Sequence, residues 1–339
     1  MRPTVVLVPG FGCSVLSRPG SSKNSWLAVR RIATSTDQWM ADNRAYFDHA
    51  SRQYFSAEPL RAHDFGGREG VRDLISDMGD WSSWINIGQG YYGGLIDGLD
   101  GRADLVGAPY DFRLVLGDGF ERYSRDLRGL VEQHRDVIIV AHSLGAVITR
   151  AVLGGWPDAA RHVRALVEVC PSHGGTLCAL EAMAEGAFYI PVPSASRRER
   201  LASMSRSLAG MVLALPNRRA FDEGPPLWVE ECGREHRVGR WPWPEVSEAW
   251  EGLAAPVLSA VGDVPRGVRH VVLHSSVHDT PASVDRPAGA VTVQGGDGVV
   301  TAASALCRTC DHTDILHIAC SHRMAPSDGA TLGAVHKFL

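Results

Sequence analysis

The sequence predicts an α/β protein organised on a parallel sheet, and three observations carry that expectation. Short β-branched apolar runs recur along the chain, Gly or Pro bounds most of them, and helix-like stretches separate one from the next. Apolar runs without alternation are what strands buried on both faces look like. Helical stretches between them supply the crossovers that parallel pairing needs.

The first strand is Val5-Val6-Leu7-Val8, closed by Pro9-Gly10, and Ala103-Asp104-Leu105-Val106 is the second. Val137-Ile138-Ile139-Val140 follows, with a helix expected before it over Tyr123 to His134 and another after it over Leu144 to Leu153. Ala165 to Val169, Val268 to Leu273 and Ile315 to Ala319 complete the series, and a closing helix is expected over Ala330 to Leu339. Two segments depart from this rhythm. Residues 14–60 carry Trp26, Trp39 and several Tyr and Phe with little periodicity. Residues 179–262 hold helix-like stretches at Leu201 to Leu215 and Glu245 to Leu253, separated by a Pro/Trp-rich passage. Both read as insertions over one end of a single domain spanning 1–339, a lid-like one and a cap, since long insertions in α/β domains usually cover binding sites.

The 339 residues, 45% of them hydrophobic and 21% charged, suit a soluble globular chain and exclude disordered and fibrous classes. A net charge of −4 and the isolation of Arg197, Arg198 and Arg200 give no footprint for nucleic acid. Seven cysteines are too few for a disulfide scaffold, and the lone pair Cys307 and Cys310 has no second ligand pair, so no metal site is expected. Val5 to Val8 is too short for the apolar core of a leader, and no run approaches the roughly 20 apolar residues of a membrane span. A cytoplasmic protein is the expectation.

The strongest chemical signal is Val140-Ala141-His142-Ser143-Leu144-Gly145, where an apolar strand turns sharply into a helix. Such a nucleophile elbow needs small residues two before and two after the serine, and Ala141 and Gly145 meet that need. It lifts Ser143 Oγ out of the sheet and aims the amide of Leu144 at the oxyanion that forms on attack. An acid and then a histidine should follow in the chain. Asp297, in Gly296-Asp297-Gly298 after an apolar strand, is preferred over Asp263, which comes early. Of His312, His317, His322 and His336, only His322 lies on the loop just past the last strand, where a base can lean toward the elbow; His317 is expected to be buried in the strand or to point along the sheet. The glycine-rich turn after the first strand offers the Phe11 amide as the other oxyanion donor.

Together these pieces resemble the lecithin:cholesterol acyltransferase family, which includes lysosomal phospholipase A and the phospholipid:sterol and phospholipid:diacylglycerol acyltransferases. The matching elements are Val5 to Ser14, Gly107-Ala108-Pro109-Tyr110-Asp111-Phe112-Arg113 (GAPYDWR in the family), Ala141 to Gly145, Gly296 to Val300 with Ser304-Ala305-Leu306, and Ser321-His322-x-Met324 before a terminal helix. Arg206-Ser207-Leu208 to Leu215-Pro216 also looks like the end of the family's cap segment. The resemblance implies an α/β-hydrolase fold with Ser143 as nucleophile, Asp297 as acid, His322 as base and Phe11 and Leu144 as oxyanion donors. It also implies a mobile lid within 14–60, a lipid-facing cap over 179–262, and Tyr110, Asp111 and Arg113 as a structural brace. The family's GAPWGG is here Cys170-Pro171-Ser172-His173-Gly174-Gly175, without the aromatic.

The expected activity is acyl-ester hydrolysis or acyl transfer through an acyl-serine, with no cofactor. A phospholipid or other acyl ester would be the donor and water or an alcohol the acceptor, with peripheral membrane contact through lid and cap. A tailoring acyltransferase or esterase acting on a soluble secondary metabolite is the alternative. Trp26, Trp39, Trp81, Trp84, Phe188, Tyr189, Trp241 and Trp243 could wall an apolar tunnel, and Trp26, Trp39, Phe188 and Tyr189 are the candidate substrate-binding residues.

Overall fold

The computed structural model describes residues 2–20, 36–56, 58, 60–64, 89–186, 195–217, 228–229, 241–285 and 290–339. The strands, in chain order, are β1 Thr4–Val8, β2 Val15–Ser17, β3 Ala45–Asp48, β4 Gln53–Ser56, β5 Arg61–Asp64, β6 Asp104–Gly107 and β7 Val137–His142. They continue with β8 Val163–Val169, β9 Trp228–Val229, β10 Arg269–His274, β11 His278–Asp285, β12 Ala290–Gly296 and β13 Thr313–His317. Six of these form the central sheet in the order β13-β10-β8-β7-β1-β6, and every pairing is parallel. Both β6 and β7 pair with β1, one on each side, so the strand order reverses there and opens a crevice at the carboxyl ends of the strands.

The apolar runs are explained by this placement. Successive residues of a strand face opposite sides, and here the two parities divide between two cores. Val6, Val8, Ile139, Ala141 and Leu166 pack on one side, while Val5, Leu7, Ile138, Val140, Ala165 and Val167 pack on the other. The first core includes Tyr123, Leu127 and Val131 from the Asp118–Glu132 helix, spaced to form one face, with Asp118 and Glu121 in its first turn. The Leu144–Gly154 helix is buried along almost its whole length, which accounts for its apolar composition on every side. The Gln89–Leu99 and Gly329–His336 helices cover the second core.

Three sequence expectations change. β13 is an edge strand, with Ile315 49% exposed and His317 at the surface, bonded to Ser276 at 2.8 Å, rather than buried. The expected helix over Leu201 to Leu215 is two helices, Ala195–Arg206 and Ala209–Leu213. The amides of Ala209 and Gly210 bond to the carbonyls of Arg113 and Phe112, so this backbone is tied to the Gly107 to Arg113 segment instead of extending the preceding helix. The expected Glu245 to Leu253 helix is Pro244–Ala249, a widened π turn at Trp250–Ala254, and a helix at Ala255–Ala260. Pro256 has no amide to continue the regular ladder, and a widened turn before it accommodates that loss. Among the described residues no helix is long and apolar enough to cross a membrane.

Candidate active site

Ser143 stands between β7 and the Leu144–Gly154 helix with φ 56° and ψ −123°, a conformation that a serine holds only when its surroundings impose it. What imposes it is close contact with β1. A Cβ on Gly145 would collide with the Pro9 carbonyl and come within 2.8 Å of the Val8 carbonyl, so the second residue after the serine has no room for a side chain. The serine amide bonds the Val169 carbonyl at 3.0 Å, which fastens the turn to β8 as well.

His322 follows β13 and Asp297 follows the antiparallel β11–β12 hairpin, which lies outside the central sheet. His322 Nε2 is 2.9 Å from Ser143 Oγ, and His322 Nδ1 is 2.6 Å from Asp297 Oδ2. All three side chains are buried. The amides of Val299 and Val300 donate to Asp297 Oδ1 at 2.9 and 2.7 Å. Burial alone would raise the Asp297 carboxyl, but the His322 charge, its hydrogen bond and those two amides hold it at about 2. The rival groups stand elsewhere. Asp263 is exposed on the loop after the Ala255–Ala260 helix, and His336 bonds the Gly98 carbonyl from the closing helix. His312 lines an open cleft of about 550 Å³ with Arg266, Arg269, Asp311 and Asp314, at the amino ends of β10 and β13.

A cavity of about 270 Å³ lies over Ser143. Phe11, Leu144 and His322 line it with the serine, and Ala179, Ala182, Met211, Ala214 and Val299 give it an apolar wall. Gly10, Cys13, Tyr91, His142, Ser172, Thr176, Cys178 and Glu181 complete its lining. Burial raises the Cys13 thiol to about 12 and the Cys178 thiol to about 11, so both are neutral groups of the wall at physiological pH.

Trp39 is not in this wall. It is 1% exposed within the larger core against the sheet, where neighbours close over the whole ring. Trp241 and Trp243 likewise pack into that core, with Arg206 over the Trp243 ring at 5.3 Å. Trp26, Trp81, Trp84, Phe188 and Tyr189 lie outside the described residues. Arg113, fully buried, clasps Asp111 through Nε and Nη2 at 2.9 and 2.7 Å and reaches the Glu58 carbonyl, while the Tyr110 amide bonds Ser14 Oγ. The segment thus ties Ser14, Glu58, Ala209 and Gly210 to the end of β6. Among the described residues, the group compact enough to hold a metal ion is Cys170, Asp297 and His322, and its imidazole is committed to the carboxylate and the serine.

Beneath the site is a buried network that sequence reading did not assemble. Glu168 on β8 accepts from Arg150 Nη1 at 3.2 Å, His173 Nε2 at 3.1 Å and His270 Nε2 at 2.9 Å. Burial alone would raise this carboxyl, but the facing His173 and Arg150 and the two imidazole hydrogen bonds hold it well below the usual range. The network joins the helix behind Ser143 to β8, β10 and the Ser172-His173 loop. Glu168→Ala would leave the buried Arg150 guanidinium, still bonded to the Gly262 and Arg308 carbonyls, without its counter-charge, and is expected to cost about 3–5 kcal/mol of stability, measured by urea unfolding; a loss below about 1 kcal/mol would show that the network is not holding these elements together.

The family model for lecithin:cholesterol acyltransferase matches residues 97–231. The motif-based resemblance to lecithin:cholesterol acyltransferase is thereby borne out over the stretch from the end of the Gln89–Leu99 helix, through Ser143, into the second insertion. Asp297 and His322 lie beyond the matched stretch. A solved structure described as the Tle4–Tli4 complex is similar over 99% of this chain and 98% of that one, at 13% identity and a TM-score of 0.59, and shows the same fold. A metagenomic carboxyl esterase covers 71% of this chain and 67% of its own, at 16% identity and a TM-score of 0.35. No curated protein sequence matches the chain. The fold is that of the α/β-hydrolases, with a parallel central sheet and helices on both faces.

Proposed function

We propose that the protein is a serine acyl-ester hydrolase and acyltransferase that acts on a lipid-like acyl donor through an acyl-Ser143 intermediate. The observation that carries this reading is the hydrogen-bonded line from Ser143 Oγ through His322 to Asp297, with the serine and the imidazole in the wall of a largely apolar cavity. Ser143 Oγ attacks the donor carbonyl while its proton passes to His322 Nε2. The oxyanion is received by the amides of Phe11 and Leu144, the latter at a helix N-terminus, and Asp297 stabilises the imidazolium. Collapse expels the donor alcohol, which takes the proton from His322. Water or an acceptor alcohol then deacylates the serine by the same steps in reverse.

Two features support this reading, the first for transfer beside hydrolysis and the second for a lipid-like donor. Ser143 and His322 are less than one-tenth exposed, which limits water at the acyl-enzyme. The first insertion, read as the lid, presents the stacked pair Tyr46 and Phe55 to solvent, side chains suited to a lipid interface. The test is a fluorophosphonate probe together with mass-spectrometric product analysis on phospholipid vesicles and soluble p-nitrophenyl esters, with and without a hydrophobic alcohol. Labelling at Ser143 and acyl transfer to the alcohol, faster than release of free acid, is the expected result. Free acid as the sole product would remove the acyltransferase half, and absence of labelling would remove the serine mechanism.

A further inference from the structure

We propose that Tyr92 and His142 form a positioning pair that holds the oxyanion loop and the base in register, a role that rests on the acyl-serine reading above. The side chain of His142, immediately before Ser143, is fully buried, and each of its ring nitrogens has a partner. His142 Nε2 lies 3.2 Å from the His322 carbonyl oxygen. A carbonyl only accepts, so Nε2 carries the hydrogen. Nδ1 of the neutral ring is then a lone pair, and the Tyr92 hydroxyl at 3.0 Å donates to it. The Gly10 amide in turn donates to the Tyr92 oxygen at 2.9 Å. Both ring nitrogens of His142 are thereby assigned, and the bonds run in one direction from Gly10 through Tyr92 and His142 to His322, with the Cys13 thiol a further neighbour of the Tyr92 hydroxyl.

The two ends of this chain are the two parts the chemistry needs aligned. Gly10 immediately precedes Phe11, whose amide is the assigned oxyanion donor, and the Gly10 backbone rests on the imidazole so closely that a Cβ there would lie 2.9 Å from Nδ1. At the other end, the His322 backbone is held by two bonds, its carbonyl by His142 and its amide by the Asp297 carbonyl at 2.8 Å. The rings of His142 and His322 lie 4.7 Å apart. Burial first, and then the charge of His322, keep His142 well below its ordinary pKa, so the ring remains in the neutral form that the chain of bonds requires. Buried polar groups joined this way hold their elements more narrowly than apolar packing does.

The experiment measures kcat and KM on a p-nitrophenyl ester for Tyr92→Phe, His142→Gln and the double variant, with melting temperature alongside. Tyr92→Phe removes one oxygen and keeps the ring. His142→Gln keeps a donor for the His322 carbonyl and gives up the acceptor for Tyr92. Each is expected to lower kcat by about 10–100-fold, the scale for a residue that orients a reacting group, with KM nearly unchanged. Because the two act as one chain, the double variant should be no worse than the poorer single one rather than showing the product of both losses. Unchanged kcat with a lowered melting temperature, or losses that multiply, would overturn the proposal. If His142→Gln does not fold, kcat of Tyr92→Phe decides alone. Full kcat in Tyr92→Phe beside an inactive Ser143→Ala would overturn this pair and spare the acyl-serine mechanism, whereas an active Ser143→Ala would overturn the mechanism itself.

Discussion

Ser143→Ala is expected to lower kcat by about 10⁴-fold or more while leaving the protein folded, because what survives is the rate supplied by the oxyanion donors and by binding. The geometry separates the two effects. The strained backbone at φ 56° is imposed by the Val8 and Pro9 carbonyls at the end of β1 pressing on Gly145, not by the hydroxyl, so alanine inherits the same conformation at similar cost. Removing Oγ deletes a single hydrogen bond, to His322, whose other nitrogen and main-chain amide remain bound to Asp297. The unfolding midpoint should therefore move little while fluorophosphonate labelling disappears. A variant that retained near-full turnover would place the nucleophile elsewhere. A variant that failed to fold would show that the hydroxyl stabilises the elbow.

How much of this was legible in the chain depends on whether the signal is local. Strands β1 and β7 were readable because both parities of Val5 to Val8 and of Val137 to Val140 are apolar, which only a strand covered on both faces requires. The elbow was readable because strand, serine, glycine and helix are contiguous. The exposure of β13 was not, since Ile315 and Leu316 read alike at an edge and in a centre, and the edge is defined by the strand that is missing beside it. Glu168 within an apolar run was a local warning of a buried charge. Its partners, however, come from 5, 18 and 102 positions away, and no spacing rule joins them. Trp39 shows the same limit: a large apolar ring suits a pocket wall and a core equally, and only the neighbours that close over it decide. Cys170 carries a further trace of the site. It adopts φ 46° where the resembled family has glycine, and its thiol lies within 4.8 Å of the ligand atoms of Asp297 and His322.

Asp297→Asn is expected to lower kcat by about 10⁴-fold, the scale seen when a triad acid loses its charge and the imidazole its tautomer. Asp297 Oδ2 accepts from His322 Nδ1, which leaves Nε2 as the lone pair that can take the Ser143 proton. An asparagine whose carbonyl oxygen keeps the Val299 and Val300 amides turns its NH2 toward Nδ1 instead. Nδ1 must then be the acceptor, Nε2 carries the hydrogen, and the base is blocked at the atom that faces the serine. Stability should change as well. The folded carboxyl sits at about 2 against an ordinary 3.8, so ionisation favours the native state by about 2 kcal/mol at neutral pH. That contribution is complete above the unfolded value and is lost as the pH falls toward 2, so the acid side of a stability-against-pH curve should be shallower in Asp297→Asn than in the parent. The paired measurement is kcat at neutral pH with urea midpoints between about pH 2 and 7. An asparagine variant within tenfold of parental turnover would show that His322 is oriented by its main-chain bonds alone, and equal acid slopes would show that Asp297 is not held in its charged form by the fold.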